Sequence, residues 1–126
     1  MDNKLKGIFV ASLTPFDRNG SFNPAALKKL MERNLAEGAS GFFMGGSSAE
    51  CFLLSHHERT AVFESASEFK DRTTLIAHIG AISTKEAIMF AKEAVNLGYK
   101  HIAATAPFYY GFTPEEIASY YYDISQ

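Results

Sequence analysis

Only one cysteine, Cys51, stands among the 126 residues, so no internal disulfide can close; a lone thiol suits a reducing compartment, and the cytoplasm is the expected location. Long apolar runs are missing too. Ile8 to Ala11 is far too short for the apolar region of a signal peptide, and nothing approaches the length of a membrane span, so no membrane partner is expected. Basic stripes are absent. Twelve Lys and Arg against 14 Asp and Glu leave a net charge of -2 with both signs scattered, which excludes a nucleic-acid groove and points to a small molecule or another protein as partner. Gly45-Gly46 is followed by no P-loop lysine and lacks dinucleotide spacing, and the histidines are too scattered to hold a metal. Neither a metal nor a cofactor is therefore expected. No linker or low-complexity segment interrupts the chain, and 47% hydrophobic with 21% charged content is ordinary for one domain with a real core, here residues 1–126.

What is present is a regular alternation. Gly7 to Leu13 reads as a buried strand that ends at Thr14-Pro15-Phe16 and a turn at Asp17-Arg18-Asn19-Gly20. Asn23 then caps a helix with Pro24 in its first position and a stripe of Leu27, Leu30, Met31 and Leu35, stopped by Gly38. Gly41 to Met44 is a second strand. Ser55 and Glu58 have capping-box spacing before a helix whose buried face is Val62, Phe63, Ala66 and Phe69. Thr74 to Ile79 forms a third strand; Ser83 and Glu86 open a third helix with Ala87, Ala91, Ala94 and Val95 inward. His101 to Ala106 is the fourth strand, closed by Pro107, and Thr113 to Glu116 starts a helix with Ile117, Tyr120, Tyr121 and Ile124 near one face. The strand-helix units run over about 7–37, 41–69, 74–97 and 101–124. Each is near the length that a right-handed parallel crossover needs. Two architectures accept this pattern: a doubly wound open sheet, or a (βα)4 half of a (β/α)8 TIM barrel.

The stretch Gly41 to Glu50 carries the chemistry. A short apolar run breaks into a glycine pair, two hydroxyls (Ser47 and Ser48), Ala49 and a carboxylate, at the carboxyl end of a strand where α/β proteins place ligands. Glycines there let backbone N–H groups approach an anion closely, so a small anionic ligand is indicated. Read alone, Ser47 and Ser48 equally suit a loop that satisfies its own backbone, and Tyr109 and Tyr110 suit packing at a strand end. Glu50 is as well suited to accept loop N–H bonds as to act in catalysis. His56 and His57 read as solvated, and Cys51 as a buried small residue.

Thr14-Pro15-Phe16, Gly45-Gly46-Ser47-Ser48-Ala49-Glu50 and Ala106-Pro107-Phe108-Tyr109-Tyr110 together resemble the pyruvate-dependent class I aldolases of the N-acetylneuraminate lyase and dihydrodipicolinate synthase family. Leu75 to Thr84 is similar to the lyase branch in particular. The resemblance spans essentially the whole chain and implies the (β/α)8 barrel, of which this is the amino-terminal half. It implies that Ser47 and Ser48 hold a pyruvate carboxylate, and that Tyr110 is the phenol that moves protons at the Schiff-base carbon, with Ser47 as its relay. Two positions depart from the pattern: Ala49 stands where the family usually has glycine, at a cost if positive φ is needed, and Ser48 stands where threonine is frequent. Gly111-Phe112-Thr113 lacks the arginine of the synthase branch, which favours the lyase.

The family's reaction needs a lysine from strand six that condenses with the pyruvate carbonyl, and such an amine belongs on an inward strand position where a low dielectric keeps it neutral. Lys6 and Lys100 precede strands, Lys28, Lys29, Lys70 and Lys92 fall in or at the ends of helices, and Lys85 lies at the outer start of the third helix. The chain alone is therefore expected to be inactive. A second reading is a structural half-barrel module, natural or engineered, that self-associates through its open edges, as a homodimer rebuilding eight strands. A flavodoxin-like monomer and a larger assembly are the competing outcomes, and a fragment of a synthase-like enzyme is the alternative parentage.

Overall fold

The computed structural model describes residues 5–126. Four strands, β1 (Phe9–Ala11), β2 (Gly41–Met44), β3 (Thr74–His78) and β4 (His101–Ala103), alternate with four helices, α1 (Pro24–Ala36), α2 (His56–Ser67), α3 (Thr84–Asn96) and α4 (Pro114–Ile124). All pairings are parallel and the strand order is β1-β2-β3-β4. That order decides between the two architectures. A doubly wound sheet reverses its strand order and places helices on both faces. Here each strand lies beside its sequence neighbour, and α1, α2, α3 and α4 pack one against the next, giving the (βα)4 half of a TIM barrel. No helix among the described residues is long and apolar enough to cross a membrane.

Local chemistry explains the helix starts. Asn23 accepts from the Ala26 N–H and Pro24 follows it; Ser55 with Glu58 and Thr113 with Glu116 form complete capping boxes. Ser83 accepts from the Glu86 N–H without the reciprocal bond, so that box is half formed. Phe42 and Met44 of β2 and Leu75 and Ala77 of β3 face the helices and are buried with Leu27, Met31, Val62, Phe63, Ala66 and Phe90 in one core. The opposite strand face carries Ala11, Phe43, Ile76 and His101 in register, and these are only half-buried or exposed, because they line the concave interior.

Several boundaries differ from the sequence expectation. The strand expected over 7–13 is regular only over Phe9–Ala11; Gly7 has φ 99° and Thr14 turns its hydroxyl to the next loop. The one expected over 101–106 stops at Ala103, where the Thr105 N–H bonds the His78 ring instead of a backbone carbonyl of β3. Val95 is 63% exposed and does not face inward; the stripe is Ala87, Phe90, Ala91 and Ala94, at spacings of three and four that leave Val95 at its edge. Phe69 is buried, but from the turn after α2. On α4, Tyr120 is buried, while Tyr121 is 41% exposed and donates its hydroxyl to the Ala104 carbonyl at 3.2 Å.

Tyr99 is buried, donates its hydroxyl to the Phe63 carbonyl at 2.8 Å, and is held well above the usual phenol range by burial. The unfolded phenol ionises near pH ~10. Its folded pKa is raised, so the contribution is complete below that value and declines as pH rises. Stability should fall by up to about 1.4 kcal/mol per pH unit above pH ~10 from this group. Tyr99→Phe should flatten that alkaline slope, as read by denaturant titrations at pH 9 to 11.

Candidate functional site

At the carboxyl end of β2 the chain turns sharply. Gly45 has φ 68°, and a Cβ built there would lie 2.9 Å from the Phe63 ring, so both backbone conformation and space require glycine. Two short 3-10 turns follow, Ser47–Ala49 and Cys51–Leu53. Ser47 and Ser48 are exposed on the first, while Ala49 is buried and its carbonyl accepts from the Thr14 hydroxyl at 2.8 Å, tying the β1 loop to the β2 loop. Ala49 is not the position that needs positive φ. That role falls on Glu50, at φ 57° and exposed, so the departure from glycine carries no backbone cost at Ala49.

Phe108, Tyr109 and Tyr110 form the rim after β4. Tyr109 takes φ 84°, a left-handed conformation unusual for an aromatic residue, and stacks edge-on against Tyr110 at 5.0 Å. Both rings are open to solvent, at 82% and 66% exposure. Phe108 meets Phe52 of the β2 loop at 4.5 Å, so the two loops touch through apolar rings. Ser47 and Ser48 lie together, but no hydrogen bond links Ser47 to Tyr110 among the described residues; Tyr110 packs on Tyr109 and Phe112.

Two buried polar residues support the rim. His78, at the end of β3, is 2% exposed and its Nδ1 lies 2.9 Å from the Gly45 carbonyl. Arg59 of α2 is 4% exposed; its Nη2 donates to the His78 carbonyl at 2.9 Å and its Nη1 to the Gly80 carbonyl at 3.0 Å. The guanidinium carbon lies 4.0 Å from the Phe90 ring centre, so the cation is held by carbonyls and a π face. Burial pushes the Arg59 pKa down, against smaller opposing effects of Cys51, Glu86 and Tyr120. Tyr120 reaches from α4 to the same region, exchanging bonds with the Ala81 N–H and carbonyl, each at 3.2 Å.

The sequence reading missed Arg59, although its place was legible: residues 59, 62, 63 and 66 form one stripe of helical spacing. His78 gave no such signal, since its partners come from register and from β4. His56 was expected to be solvated and is not. It is half-buried, stacked on Phe90 at 4.4 Å and bonded to Glu93 at 2.8 Å, because α3 brings an aromatic face and a carboxylate to the start of α2. Cys51 is buried and burial raises its thiol pKa, so it is an inert packing residue. Among the described residues, no strand carries a lysine: Lys28 and Lys29 are on α1, Lys85 and Lys92 on α3, and Lys6, Lys70 and Lys100 are exposed outside the regular elements.

Solved structures with the same backbone are known. CdNal from Clostridium difficile, determined in complex with mannosamine, is 40% identical with a TM-score of 0.92, covering 96% of this chain and 42% of its own. N-acetylneuraminate lyase from Mycoplasma synoviae is 35% identical at a TM-score of 0.92, covering 97% and 43%. A Ruminococcus gnavus sialic acid aldolase, studied as a catalytic lysine mutant, is 32% identical at 0.91, covering 97% and 40%. The chain thus spans less than half the length of these relatives. The model of the dihydrodipicolinate synthetase family matches residues 4–126, and the chain belongs to that family.

Proposed function

We propose that this chain supplies the carboxylate-binding half of an N-acetylneuraminate-lyase-like aldolase site, which makes or breaks a carbon–carbon bond to pyruvate through a Schiff base. The observation that supports it most is the exposed Ser47-Ser48 pair on a loop whose root is fixed from three sides, by Gly45, Thr14 and His78. Fixed hydroxyls and turn N–H groups can accept a carboxylate without reorganising. Ser47 and Ser48 hold that carboxylate, and Tyr110 serves proton transfer with Ser47 as relay. Because the two are not bonded here, the relay forms only once a substrate draws the rim together. The lysine that condenses with the pyruvate carbonyl, expelling water to form the imine, comes from outside these 126 residues. Alone, the chain binds a small carboxylate and does not turn over, in the reducing cytoplasm its single thiol suits. The missing arginine after Tyr110 favours the lyase over the synthase reaction.

Treatment with pyruvate and borohydride followed by intact mass measurement is expected to show no covalent adduct. Pyruvate should nevertheless shift the backbone amide resonances of Ser47 and Ser48, and a Ser47→Ala, Ser48→Ala double variant should bind about tenfold more weakly or worse. A stoichiometric adduct overturns the inactive reading and directs attention to Lys85. Unchanged Ser47 and Ser48 resonances overturn the carboxylate reading.

A second reading stands beside it. β1 and β4 are unpaired edges with Ile8 69%, Leu13 57% and Ile102 41% exposed, and Tyr122 on α4 is 65% exposed. Edges and apolar surface of this kind associate, and a two-fold homodimer pairing β4 with the partner's β1 rebuilds eight strands.

A further inference from the structure

His78 is surrounded by partners that fix its protonation. Its Nδ1 faces the Gly45 carbonyl, which can only accept, so Nδ1 carries the proton. Its Nε2 lies 3.3 Å from the Thr105 backbone N, which can only donate, so Nε2 is bare; the Thr105 hydroxyl lies 3.2 Å from the same nitrogen. One neutral tautomer satisfies all three contacts. Gly45 roots the Ser47-Ser48 loop and Thr105 roots the Phe108–Tyr110 rim, so the imidazole ring spans the two loops that the proposed site needs.

We propose that His78 is a positioning residue that couples the carboxylate loop after β2 to the aromatic rim after β4, through the neutral Nδ1–H tautomer alone. The inference rests on the carboxylate reading above and deepens it. An imidazolium would donate from Nε2, to the Thr105 hydroxyl if that turns to accept, and could no longer accept the Thr105 N–H, so protonation removes the backbone bond on that side while the Gly45 side survives.

The surroundings oppose that protonation. Arg59 on α2 is the charged group facing the ring among the described residues, and its guanidinium is bonded to the carbonyl of His78 itself. Phe43 of β2, at 5.8 Å, and Phe52 of the following loop, at 6.1 Å, are neutral rings, as Thr105 on the β4 side is neutral. Burial lowers the imidazole pKa; the Gly45 bond acts the other way and Arg59 adds to the lowering. The Thr105 backbone bond therefore holds at neutral pH and is lost only in acid, below the ~6.5 of a free imidazole. Gly80 leaves the ring its room, since a Cβ there would sit 2.8 Å from Nε2.

Two variants separate the halves of the bridge. His78→Asn keeps a donor at the Nδ1 position and removes the Nε2 acceptor; His78→Gln places an acceptor near Nε2 and removes the Nδ1 donor. Hydrogen-exchange protection of Thr105 is expected to fall about five- to tenfold in His78→Asn with the loop amides of Ala49 and Glu50, which bond the Gly46 and Ser47 carbonyls, little changed, and the reverse in His78→Gln. In the wild-type chain, Thr105 protection should fall on acidification while Gly45-side protection persists, and long-range imidazole nitrogen spectra should show Nδ1–H at neutral pH. Pyruvate binding, followed at Ser47 and Ser48, should weaken about fivefold or more in His78→Gln and less in His78→Asn. An Nε2–H tautomer, or identical losses at both loops in both variants, overturns the coupling. If wild-type Ser47 and Ser48 do not respond to pyruvate while the exchange pattern holds, the carboxylate reading fails and the bridge stands.

Discussion

Replacement of Phe63 by alanine is expected to remove most of the stability of the chain. Phe63 is fully buried on α2 and lies at the centre of the core. Its ring meets Phe90 of α3 edge-on at 6.2 Å and Tyr99 at 5.8 Å, and its own carbonyl accepts the Tyr99 hydroxyl. Truncating a buried phenylalanine costs about 3–5 kcal/mol, from lost transfer energy and the cavity left behind. Single domains are stable by only about 5–15 kcal/mol, and one with open edges belongs near the lower end. Urea denaturation followed by circular dichroism should therefore show the midpoint collapse toward zero denaturant. Because the ring also abuts Gly45, loss of the side chain should loosen the Ser47-Ser48 loop before global unfolding. A cost below about 1 kcal/mol would show that α2 and α3 close over the gap, and would remove Phe63 as the keystone of the helix layer.

The second large effect concerns assembly. Wild-type chain at micromolar concentration should sediment as a dimer, and an Ile8→Lys, Ile102→Lys double variant as a monomer. Both positions lie at the edge strands, Ile8 just before β1 and Ile102 within β4, and both expose much of their apolar surface. Placing an ammonium where a partner strand and helix must cover it leaves an unpaired charge to bury, which should weaken dimerisation by about a hundredfold or more. Native mass spectrometry and sedimentation velocity read this directly. A wild-type monomer at that concentration would count against the rebuilt barrel.

Much of the architecture was legible because four strand-helix units repeat with clear punctuation. Asn23-Pro24, Ser55 with Glu58 and Thr113 with Glu116 mark helix starts by chemistry local to a few residues, and the structure places the caps there. The choice between open sheet and half barrel was not contained in local pattern. It depends on which strand pairs with which, and only the resemblance of the three loop motifs pointed to it. Edge strands came out shorter than expected because a strand's end is set by its partner: Thr105 leaves the ladder for the His78 ring.

At the site, Ser47 and Ser48 stand where the loop pattern suggested, and the left-handed residue beside them is Glu50 rather than the alanine in question. Arg59 and His78 were not singled out from the sequence, the one because nothing local marks a cation for burial, the other because its partners are distant in sequence. Arg59 occupies a core stripe and uses carbonyl oxygens and the Phe90 face in place of a carboxylate. His78 acquires its meaning from two segments, one 33 and one 27 residues away in sequence, which no local pattern predicts.

The strand order β1-β2-β3-β4 also bears on how the molecule forms. The main packing pairs join elements that follow one another along the chain, β1 with β2, α1 with α2, and so on to α3 with α4. Such an arrangement behaves as a short linear array, in which each unit is stabilised by the one before it and growth can begin at any adjacent pair. Loop-closure costs stay small, and folding should be fast for a parallel sheet, whose strands usually must find distant partners. The first two units can close their shared core around Leu27, Met31, Phe42 and Phe63 while β4 is still being synthesised.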